Sequence, residues 1–412
     1  MGYRIAMKNV AGIKNCYGCG VCSLACSKNI IDLKLSKDGF YIPYIKDEAK
    51  CVGCGLCIDV CSFNDLGSVI QETPLCSYAA WSNEFAIQRK CSSGGVSFEV
   101  GRYLLKEGYK VFGVRYNVDT SRAEHYIASS PEELIHSIGS KYIQSYTIDG
   151  LAQIDKKNKY LVTGTPCQIA SFRKFIQRFH CEDNFVLMDF FCHGVPSMLA
   201  WKKYVNEAEA KVGKLTYVSW RNKFTGWHDS WAMTIDGEIC GEKIDWHDSY
   251  NILIQERKGY LNSRLSKGDT FYRLFLENQC LGLPCYDCRF KYNRSAADIR
   301  IGDLWGNTFK NNEDGVSCAI AYTEKGRAVL HGSNLQLNSL SFDVVAEGQM
   351  KSSPNLRKRH RNAILKTLRR KNTTTFDALV VSAKMDIFEQ KLFILKHPRV
   401  FWAKLKNKLF GM

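Results

Sequence analysis

The sequence predicts a fold that combines the α+β and α/β classes: a small cysteine-rich N-terminal domain, then an α/β domain with an antiparallel addition. Two observations lead to this prediction. One cysteine motif occurs twice before residue 62, and the rest of the chain alternates between β-branched or aromatic runs and amphipathic helical patterns. With 412 residues, the chain has room for two or three domains.

The positive charge of the chain is concentrated near its C-terminus. The formal net charge is +16, and residues 351–412 contain 16 Lys and Arg against three acidic residues, a net +13. The other 350 residues therefore carry only +3. This distribution argues against a basic groove through the main body, so no nucleic-acid partner is predicted.

Cysteine is unusually frequent, with 18 residues. The opening segment lacks the apolar core of a secretory signal, which favours a reducing compartment and free thiols over disulfides. No apolar run approaches the ~20 residues of a membrane-spanning helix. We therefore expect a cytoplasmic protein.

The duplicated motif has the spacing C-x2-C-x2-C-x3-C. Its copies are Cys16, Cys19, Cys22, Cys26 and Cys51, Cys54, Cys57, Cys61. Glycines within each copy let the loop wrap three corners of a cube and turn backbone N–H groups towards the sulfurs. The spacing predicts two [4Fe-4S] clusters. Zinc is the alternative, but zinc chemistry usually uses paired C-x2-C units and does not explain a duplicated run of four.

The last cysteine of each copy is expected to serve the other cluster, as in bacterial two-cluster ferredoxins. One cluster would then bind Cys16, Cys19, Cys22 and Cys61, and the other would bind Cys51, Cys54, Cys57 and Cys26. The repeat thus predicts a bacterial-ferredoxin-like fold with pseudo-twofold symmetry. It departs from the usual pattern at Ser27 and Ser62, where a proline normally follows the last cysteine.

Helical and strand patterns alternate after the repeat. We predict helices at 96–107, behind Pro131, from the 164–166 turn through Phe175, and at 197–212. We predict strands at 110–116, 160–163, 185–191, 215–220 and 230–235. The last two strands form the antiparallel addition to the α/β domain.

Five segments of this body resemble parts of one family. They are CSSGGVSFEVGRYLL (91–105), GSKYIQS (139–145), TGTPCQ (163–168), FCHGVPS (191–197) and CYDCRFKYNRSAADIRIGDLWG (285–306). Together they are similar to the beta subunit of coenzyme F420 hydrogenase/dehydrogenase, with a two-cluster ferredoxin segment in front. The resemblance implies a flavoenzyme, usually holding FAD, that exchanges single electrons with iron–sulfur clusters and a hydride with an organic partner.

The repeat and the resemblance divide the chain into four parts. These are a 2×[4Fe-4S] ferredoxin-like domain (1–72), a flavin-binding N-terminal part (73–160), a C-terminal part of the same beta-subunit-like domain (161–345) and a basic extension (346–412). In the extension, lysines at 404, 406 and 408 combine with apolar residues at helical spacing behind Pro398, which predicts a basic amphipathic helix. The helix would make a peripheral contact with an anionic membrane or an acidic partner, or pack on the body.

Candidate flavin contacts lie in three of the family-like segments. They are Ser92, Ser93, Gly94, Gly95, Lys141, Tyr142, Gln144, Thr163, Gly164 and Thr165. The Ser-Ser-Gly-Gly turn opens a helix whose N-terminus favours a flavin diphosphate, with an ordinary capped helix as the alternative. The last three follow a buried strand, where ligand crevices of α/β folds lie. Lys141 would stabilise reduced anionic flavin, or else be a solvated loop lysine.

Four further cysteines lie inside the family-like segments and are candidates for a third [4Fe-4S] cluster: Cys167, Cys192, Cys285 and Cys288. The alternative makes Cys167 and Cys192 buried apolar residues, and Cys280 is a substitute ligand. His193, directly after Cys192, is the candidate catalytic proton donor because histidine titrates near neutral pH. A structural hydrogen bond is its alternative.

These predictions converge on an iron–sulfur flavoprotein oxidoreductase. Electrons would pass from ferredoxin or another oxidoreductase subunit through the clusters to FAD, and on as a hydride to a small organic acceptor. The second hypothesis reverses the flow: reduced coenzyme F420 is oxidised and the clusters deliver electrons to a partner subunit. The third is a non-enzymatic electron carrier, which would not need the flavin-binding turn.

Overall fold

The computed structural model describes residues 9–13, 16–64, 69–223, 226–228, 232–238, 261–264 and 268–397. Strands β1 to β14 in these ranges are Ile31–Leu35, Tyr41–Ile45, Cys76–Ser82, Lys110–Asn117, Arg122–Ala128, Ser145–Tyr146, Tyr160–Thr163, Phe185–Phe190, Leu215–Ser219, Ala232–Gly237, Leu261–Arg264, Ile299–Asp303, Ser317–Ala321 and Leu335–Ser339. Helices α1 to α13 are Val21–Leu24, Leu56–Asp59, Phe85–Lys90, Val96–Lys106, Pro131–Leu134, Ile148–Leu151, Pro166–Arg178, Met198–Val212, Thr270–Leu276, Glu324–Gly332, Phe342–Val345, Lys358–Arg369 and Thr375–Lys396.

The N-terminal domain contains two copies of one local unit. Helices α1 and α2 directly follow Gly20 and Gly55, whose φ angles are 76° and 77°. Glycine enters this left-handed region without the strain that a Cβ causes. Strands β1 and β2 form an antiparallel hairpin with Ile31 opposite Ile45. The predicted ferredoxin-like symmetry is therefore visible in the backbone.

A mixed sheet of nine described strands forms the centre of the body, in the order β14-β3-β13-β12-β8-β7-β4-β5-β6. Strands β12, β8, β7 and β4 run parallel, and antiparallel pairs extend the sheet on both sides. The carboxyl ends of the parallel strands meet at one edge, which is the usual place for a ligand crevice. The sheet takes strands from both sides of residue 160, so the predicted parts 73–160 and 161–345 share one core.

The elements predicted for this body are present, with small shifts at their ends. Helix α4 begins at Val96 as expected, and α7 extends past Phe175 to Arg178. Helix α8 begins one residue later than predicted because Ser197 is its N-cap, with Oγ accepting from the N–H of Leu199. The mixed α/β fold class is thus confirmed.

The predicted antiparallel addition is a second sheet in the order β11-β10-β9. Both pairs of neighbouring strands are antiparallel. Next to it, Trp201 of α8 packs against Trp220 with ring centroids 4.8 Å apart, and both side chains are buried. The addition therefore has an aromatic core of its own.

The basic extension begins as part of the folded body. Helices α12 and α13 bury Leu365 and Leu379 in an apolar cluster with residues of α8 and α9. Thr375 is fully buried, and its N–H and hydroxyl donate to the Glu207 carboxylate at 2.6 and 2.7 Å. The helix predicted after Pro398 lies outside the described residues. None of the described helices has the length and hydropathy needed to cross a bilayer.

Candidate iron–sulfur relay and cofactor cavity

The first N-terminal cysteine site lies against the body. Cys16, Cys19 and Cys22 line a small cavity together with Cys61 from the second motif, and we call these four the first-loop group. This is the set expected if the motifs exchange their last cysteines. Burial, with smaller contributions from neighbouring thiols, raises the pKa of Cys16 to about 12 and that of Cys61 to about 11. Buried thiols that repel one another when ionised fit a cationic iron–sulfur core.

The second N-terminal site reaches the surface. Cys57 interacts electrostatically with Cys26 and Cys54, and Cys51 packs in the same apolar cluster as Cys26 and Cys57. These four are the second-loop group. Asn9 Nδ2 donates to Cys51 Sγ at 3.5 Å. Because Cys54 is exposed, a redox partner can approach this site closely.

The four cysteines predicted for a third cluster also come together. Cys167 lies in the first turn of α7, Cys192 follows β8, and Cys285 and Cys288 precede β12; we call these four the body group. Cys167 interacts electrostatically with each of the other three. Burial, with smaller contributions from neighbouring thiols, raises the pKa of Cys285 to about 12 and that of Cys167 well above its usual range. The arrangement fits a cluster for the same reason as the first-loop group does.

Cys280, the substitute ligand, stands apart from the body group. Its Sγ donates to the carbonyl of Leu274 at 3.7 Å inside a different apolar cluster. Within the described ranges, no three His, Cys, Asp or Glu side chains converge as the ligands of a single metal ion do. A cubane does not require such convergence, because each of its cysteines binds a separate iron atom.

Two buried cations stand beside the body group. Lys291 Nζ donates to the carbonyls of Cys192 and His193 at 2.7 and 2.9 Å. Arg300 forms a bidentate pair with Asp189, with both N–H···O distances at 2.7 Å. Burial raises the pKa of Cys192, whereas Lys291 and Arg300 act in the opposite direction. The two cations therefore favour ionised thiolates, which are the metal-binding form.

A cavity of about 470 Å³ opens at the carboxyl ends of β7, β8 and β12. Ligand pockets commonly measure on the order of 300–1,000 Å³. The cavity wall includes Cys192 and His193, as well as the turn that precedes α4. A molecule bound here would therefore contact the body group directly.

Eight of the ten predicted flavin contacts line this cavity: Ser92, Ser93, Gly95, Lys141, Tyr142, Thr163, Gly164 and Thr165. Some of their hydroxyls are already used within the fold. Ser93 Oγ donates to the carbonyl of Val316 and Thr163 Oγ1 to that of Phe112, both at 2.9 Å. The backbone N–H groups at the start of α4 are therefore better candidates for an anion than these side chains.

The other two predicted contacts, Gly94 and Gln144, are absent from the cavity wall. A Cβ on Gly94 would overlap the carbonyl oxygen of Ala80, so this glycine permits close packing on β3. Gln144 connects the body to the N-terminal domain: its Oε1 accepts from the N–H of Tyr41 at 2.8 Å, and its Nε2 donates to the carbonyl of Tyr17 at 3.2 Å. Gln144 is thus an interface residue.

Further contacts of the same kind hold the first cysteine loop on the body. Thr147 Oγ1 donates to the carbonyl of Cys19 at 3.0 Å, and the Tyr146 hydroxyl donates to Asp32 at 2.9 Å. A side chain at Gly20 would overlap Thr147. The interface therefore includes the cluster-binding loop itself.

Lys141 is not the solvated loop lysine of the alternative interpretation. Its Nζ donates to the carbonyls of His136, Ser137 and Ile138 at 3.2, 3.0 and 3.0 Å. Burial lowers its pKa to about 7, and nearby Cys91 acts in the opposite direction. An anion in the cavity would favour the protonated ammonium.

The premise behind His193 as a proton donor needs correction. Its ring packs edge-on against Phe275, with centroids 4.9 Å apart. Burial, with a smaller contribution from Lys291, lowers its pKa to about 4. Near pH 7 the side chain is therefore a neutral imidazole, because its surroundings disfavour the charged form. It can hydrogen-bond a ligand, but it does not hold the extra proton of an imidazolium.

Two features of the site were missed in the sequence. Asp189 and Arg300 form a fully buried ion pair. The sequence feature that could have indicated this pair is the acidic Asp189 inside an otherwise apolar strand. Lys291 lies close after Cys288 in a family-like segment, and its position there was the available signal.

The fold and the cysteine groups define an iron–sulfur electron-transfer protein. Comparison with family models agrees: residues 15–64 match the 4Fe-4S dicluster domain. Residues 77–151 match the N-terminal model of the coenzyme F420 hydrogenase/dehydrogenase beta subunit, and residues 157–338 match its C-terminal model. The chain belongs to the coenzyme F420 hydrogenase/dehydrogenase beta subunit family, and hence to a family of oxidoreductases.

Two relatives illustrate the similarity. The chain is 29% identical over 123 residues to the coenzyme F420 hydrogenase subunit beta of Methanococcus voltae. That alignment covers 28% of this chain and 44% of the relative, so it spans less than half of either. The chain is also similar to a solved chain of the xenon-derivatised F420-reducing [NiFe] hydrogenase complex from Methanosarcina barkeri. There the identity is 16%, the coverage is 78% of this chain and 93% of that chain, and the TM-score is 0.43.

Proposed function

We propose that the chain is an iron–sulfur flavoprotein oxidoreductase. It passes electrons from the ferredoxin-like domain to FAD and on, as a hydride, to a small organic acceptor. The observation that supports the proposal is the cavity at the strand ends, whose wall joins the predicted flavin contacts to Cys192 of the body group. When bound, FAD exchanges single electrons with clusters and a hydride with organic partners. A flavin site next to a cluster site is what that exchange requires.

The cavity offers different groups to the two ends of a flavin. At one end, the chain turns into α4 through Gly95, whose φ of 89° is in the left-handed region. The N-terminus of this helix suits a diphosphate, and the ammonium of Lys141, whose N–H groups donate to backbone carbonyls, would add positive charge nearby. At the other end, Thr163, Gly164 and Cys192 line the wall, so the flavin ring would lie beside the body group.

The body group is proposed to hold a third [4Fe-4S] cluster. Its four thiols interact with one another, and Lys291 and Arg300 offset the negative charge of the thiolates. Cys192 belongs to this group and to the cavity wall at once. A single electron can therefore pass between this cluster and the cavity without a further residue between them.

The opposite direction of flow is the second candidate. The relative from Methanococcus voltae is a coenzyme F420 hydrogenase subunit by name, which favours coenzyme F420 as the hydride partner. Reduced coenzyme F420 would then deliver a hydride in the cavity, and the second-loop group, which reaches the surface at Cys54, would pass electrons to a partner subunit. The same residues serve either direction. A non-enzymatic carrier has no use for a cavity of this size and position.

Cofactor analysis of the full chain, purified without oxygen, tests the proposal. Three cubanes correspond to about twelve irons per chain, with FAD released on denaturation in about one-to-one ratio. Cys192→Ser should remove about four irons. Cys280→Ser is the matched control: this buried thiol lies outside the body group, so its loss should leave the iron content unchanged. About eight irons in the wild type, or no flavin after reconstitution, would contradict the proposal.

Direction is tested by flavin reduction with a panel of donors under anaerobic conditions. Reduction by reduced ferredoxin supports flow from the clusters to the cavity. Fast reduction by reduced coenzyme F420, followed by electron release to an external acceptor, supports the second candidate. If the bound flavin responds to neither donor, both candidates fail.

A further inference from the structure

Two serines replace the prolines that usually follow this cysteine motif, and the structure gives them different surroundings. Ser27 is exposed, whereas Ser62 is fully buried. The N–H of Ser62 donates to Ser171 Oγ at 3.2 Å, and the hydroxyls of Ser62 and Ser171 are 2.7 Å apart. Proline has neither an N–H nor a hydroxyl, so it could not make these contacts.

Ser62 also joins two cysteine groups along a short path. It follows Cys61 of the first-loop group, and its Oγ donates to the carbonyl of Cys167 in the body group at 3.2 Å. One residue and one hydrogen bond therefore separate the two groups. Ser171, the partner of Ser62 on α7, also interacts with Cys19 of the first-loop group.

Tyr17 makes a second connection between the same two groups. Its ring packs edge-on against Phe63 at 5.1 Å and against Phe290 at 5.8 Å between centroids. Tyr17 follows Cys16, and Phe290 comes shortly after Cys288. The Tyr17 hydroxyl interacts electrostatically with cysteines of both groups. The side chain therefore lies between the first-loop group and the body group.

We infer that Ser62 and Tyr17 form a joint that fixes the first-loop group against the body group and sets the electronic coupling between the clusters held there. The inference rests on the proposed third cluster. In each transfer, the first-loop cluster would be oxidised by one electron and the body cluster would be reduced by that electron, with no proton required. Ser62 and Tyr17 act as positioning residues. The serine that replaces the usual proline is thus required on the docked side of the repeat and not on the exposed side.

The repeat supplies matched controls for the test. Ser27 is the counterpart of Ser62, and Val52, which is 69% exposed, is the counterpart of Tyr17. The full chain is loaded with iron and sulfide, reduced under anaerobic conditions and examined by electron paramagnetic resonance. Two reduced clusters held close together broaden or split each other's signals. The part of that magnetic interaction that disappears in Cys192→Ser comes from the first-loop cluster and the body cluster, which are the two clusters on either side of Ser62.

We expect Ser62→Ala to keep about twelve irons and to lose the Cys192-dependent interaction. Ser171→Ala removes the contact between the two hydroxyls from the body side, so it provides the answer if Ser62→Ala does not fold. Tyr17→Leu should weaken the interaction, and Tyr17→Phe, which keeps the ring contacts, should restore it. Ser27→Ala and Val52→Leu should give the wild-type spectrum.

The outcomes separate this inference from the proposed function. A wild-type chain with about eight irons would remove the body cluster, and with it both the proposed third site and the joint. A wild-type chain with full iron, whose spectrum is unchanged in Ser62→Ala, Ser171→Ala and Tyr17→Leu, would overturn the joint alone. Equal losses in Ser62→Ala and Ser27→Ala would also contradict it.

Discussion

The two cysteine loops have the same cysteine spacing and the same backbone conformation, but their surroundings differ. Gly20 and Gly55 have nearly the same φ, and each precedes a four-residue helix. The first loop is held on the body by Thr147 and by neighbouring side chains, whereas Cys54 of the second loop is exposed. The comparison teaches that the motif determines the cluster site, while residues outside the motif decide where each cluster stands in a relay.

That difference gives the proposed relay an order. The second-loop group reaches solvent at Cys54, the first-loop group lies at the interface, and the body group reaches the cavity through Cys192. An external redox partner would therefore exchange electrons with the second-loop group. The first-loop group would act between it and the body.

The largest difference between the two loops is expected when one cysteine ligand is removed from each. Cys19→Ser and Cys54→Ser occupy equivalent motif positions, so each should lose about four irons. Cys19 packs against the apolar core beneath α7, so its loss should also destabilise the body, on the order of 4 kcal/mol or more. Cys54→Ser should leave the body docked and folded. Iron analysis and thermal scans at one fixed rate check this, and equal falls in melting temperature would contradict it.

A smaller effect is expected from alanine at the two equivalent glycines. Gly20→Ala and Gly55→Ala share the same backbone strain, about 1 kcal/mol each. A Cβ at Gly20 would also overlap Thr147, whereas a Cβ at Gly55 meets nothing within 4 Å. Gly20→Ala should therefore cost a further ~1–3 kcal/mol, and the extra cost should appear as easier proteolysis between the two domains. Indistinguishable variants would mean that the first loop is not docked as described.

The smallest effect is a pH dependence of FAD affinity. It should depend on Lys141 at the cavity and not on the second-loop group. Burial lowers the pKa of Lys141 to about 7, so between about 7 and 10.4 the unfolded chain holds a proton that the folded chain releases. Without bound flavin, the contribution of Lys141 to the free energy of unfolding therefore rises with pH across that window. An anionic flavin favours the protonated form, so FAD affinity should weaken above pH 7, by up to about tenfold per pH unit.

Titration of FAD into the reconstituted apoprotein between pH 6 and 9 measures this dependence. Lys141→Gln, which is neutral throughout, should flatten the profile and lower the affinity near pH 6. The same slope in both proteins would show that Lys141 does not face the anion. The second-loop variants Cys54→Ser and Val52→Leu serve as controls and should keep the wild-type profile.

Much of the local structure could be predicted from the sequence. The cysteine spacing and the helical pattern over 197–212 act over a few residues, and the structure follows them closely. The body group could also be anticipated, because its members lie in family-like segments. Such features depend on interactions between residues that are close in the sequence, and a sequence pattern can therefore predict them.

Long-range contacts could not be predicted. Gln144 was assigned to the flavin, yet it binds backbone groups of Tyr17 and Tyr41. Burial of His193 near Lys291 shifts its pKa away from neutrality, and no property of the FCHGVPS segment reveals that environment. The place of β3 between β14 and β13 likewise arises from antiparallel pairing across distant parts of the chain. These outcomes depend on which surfaces meet after folding.

Ferredoxin-driven reduction of the flavin in Cys57→Ser tests the central claim most directly. The substitution removes a thiolate of the second-loop group, which the proposed order makes the first acceptor of external electrons. Reduction by ferredoxin should slow by at least about tenfold, as expected when a metal site is disturbed, while direct hydride exchange in the cavity keeps its rate. A folded variant that retains its FAD and accepts electrons from ferredoxin at the wild-type rate would contradict the relay.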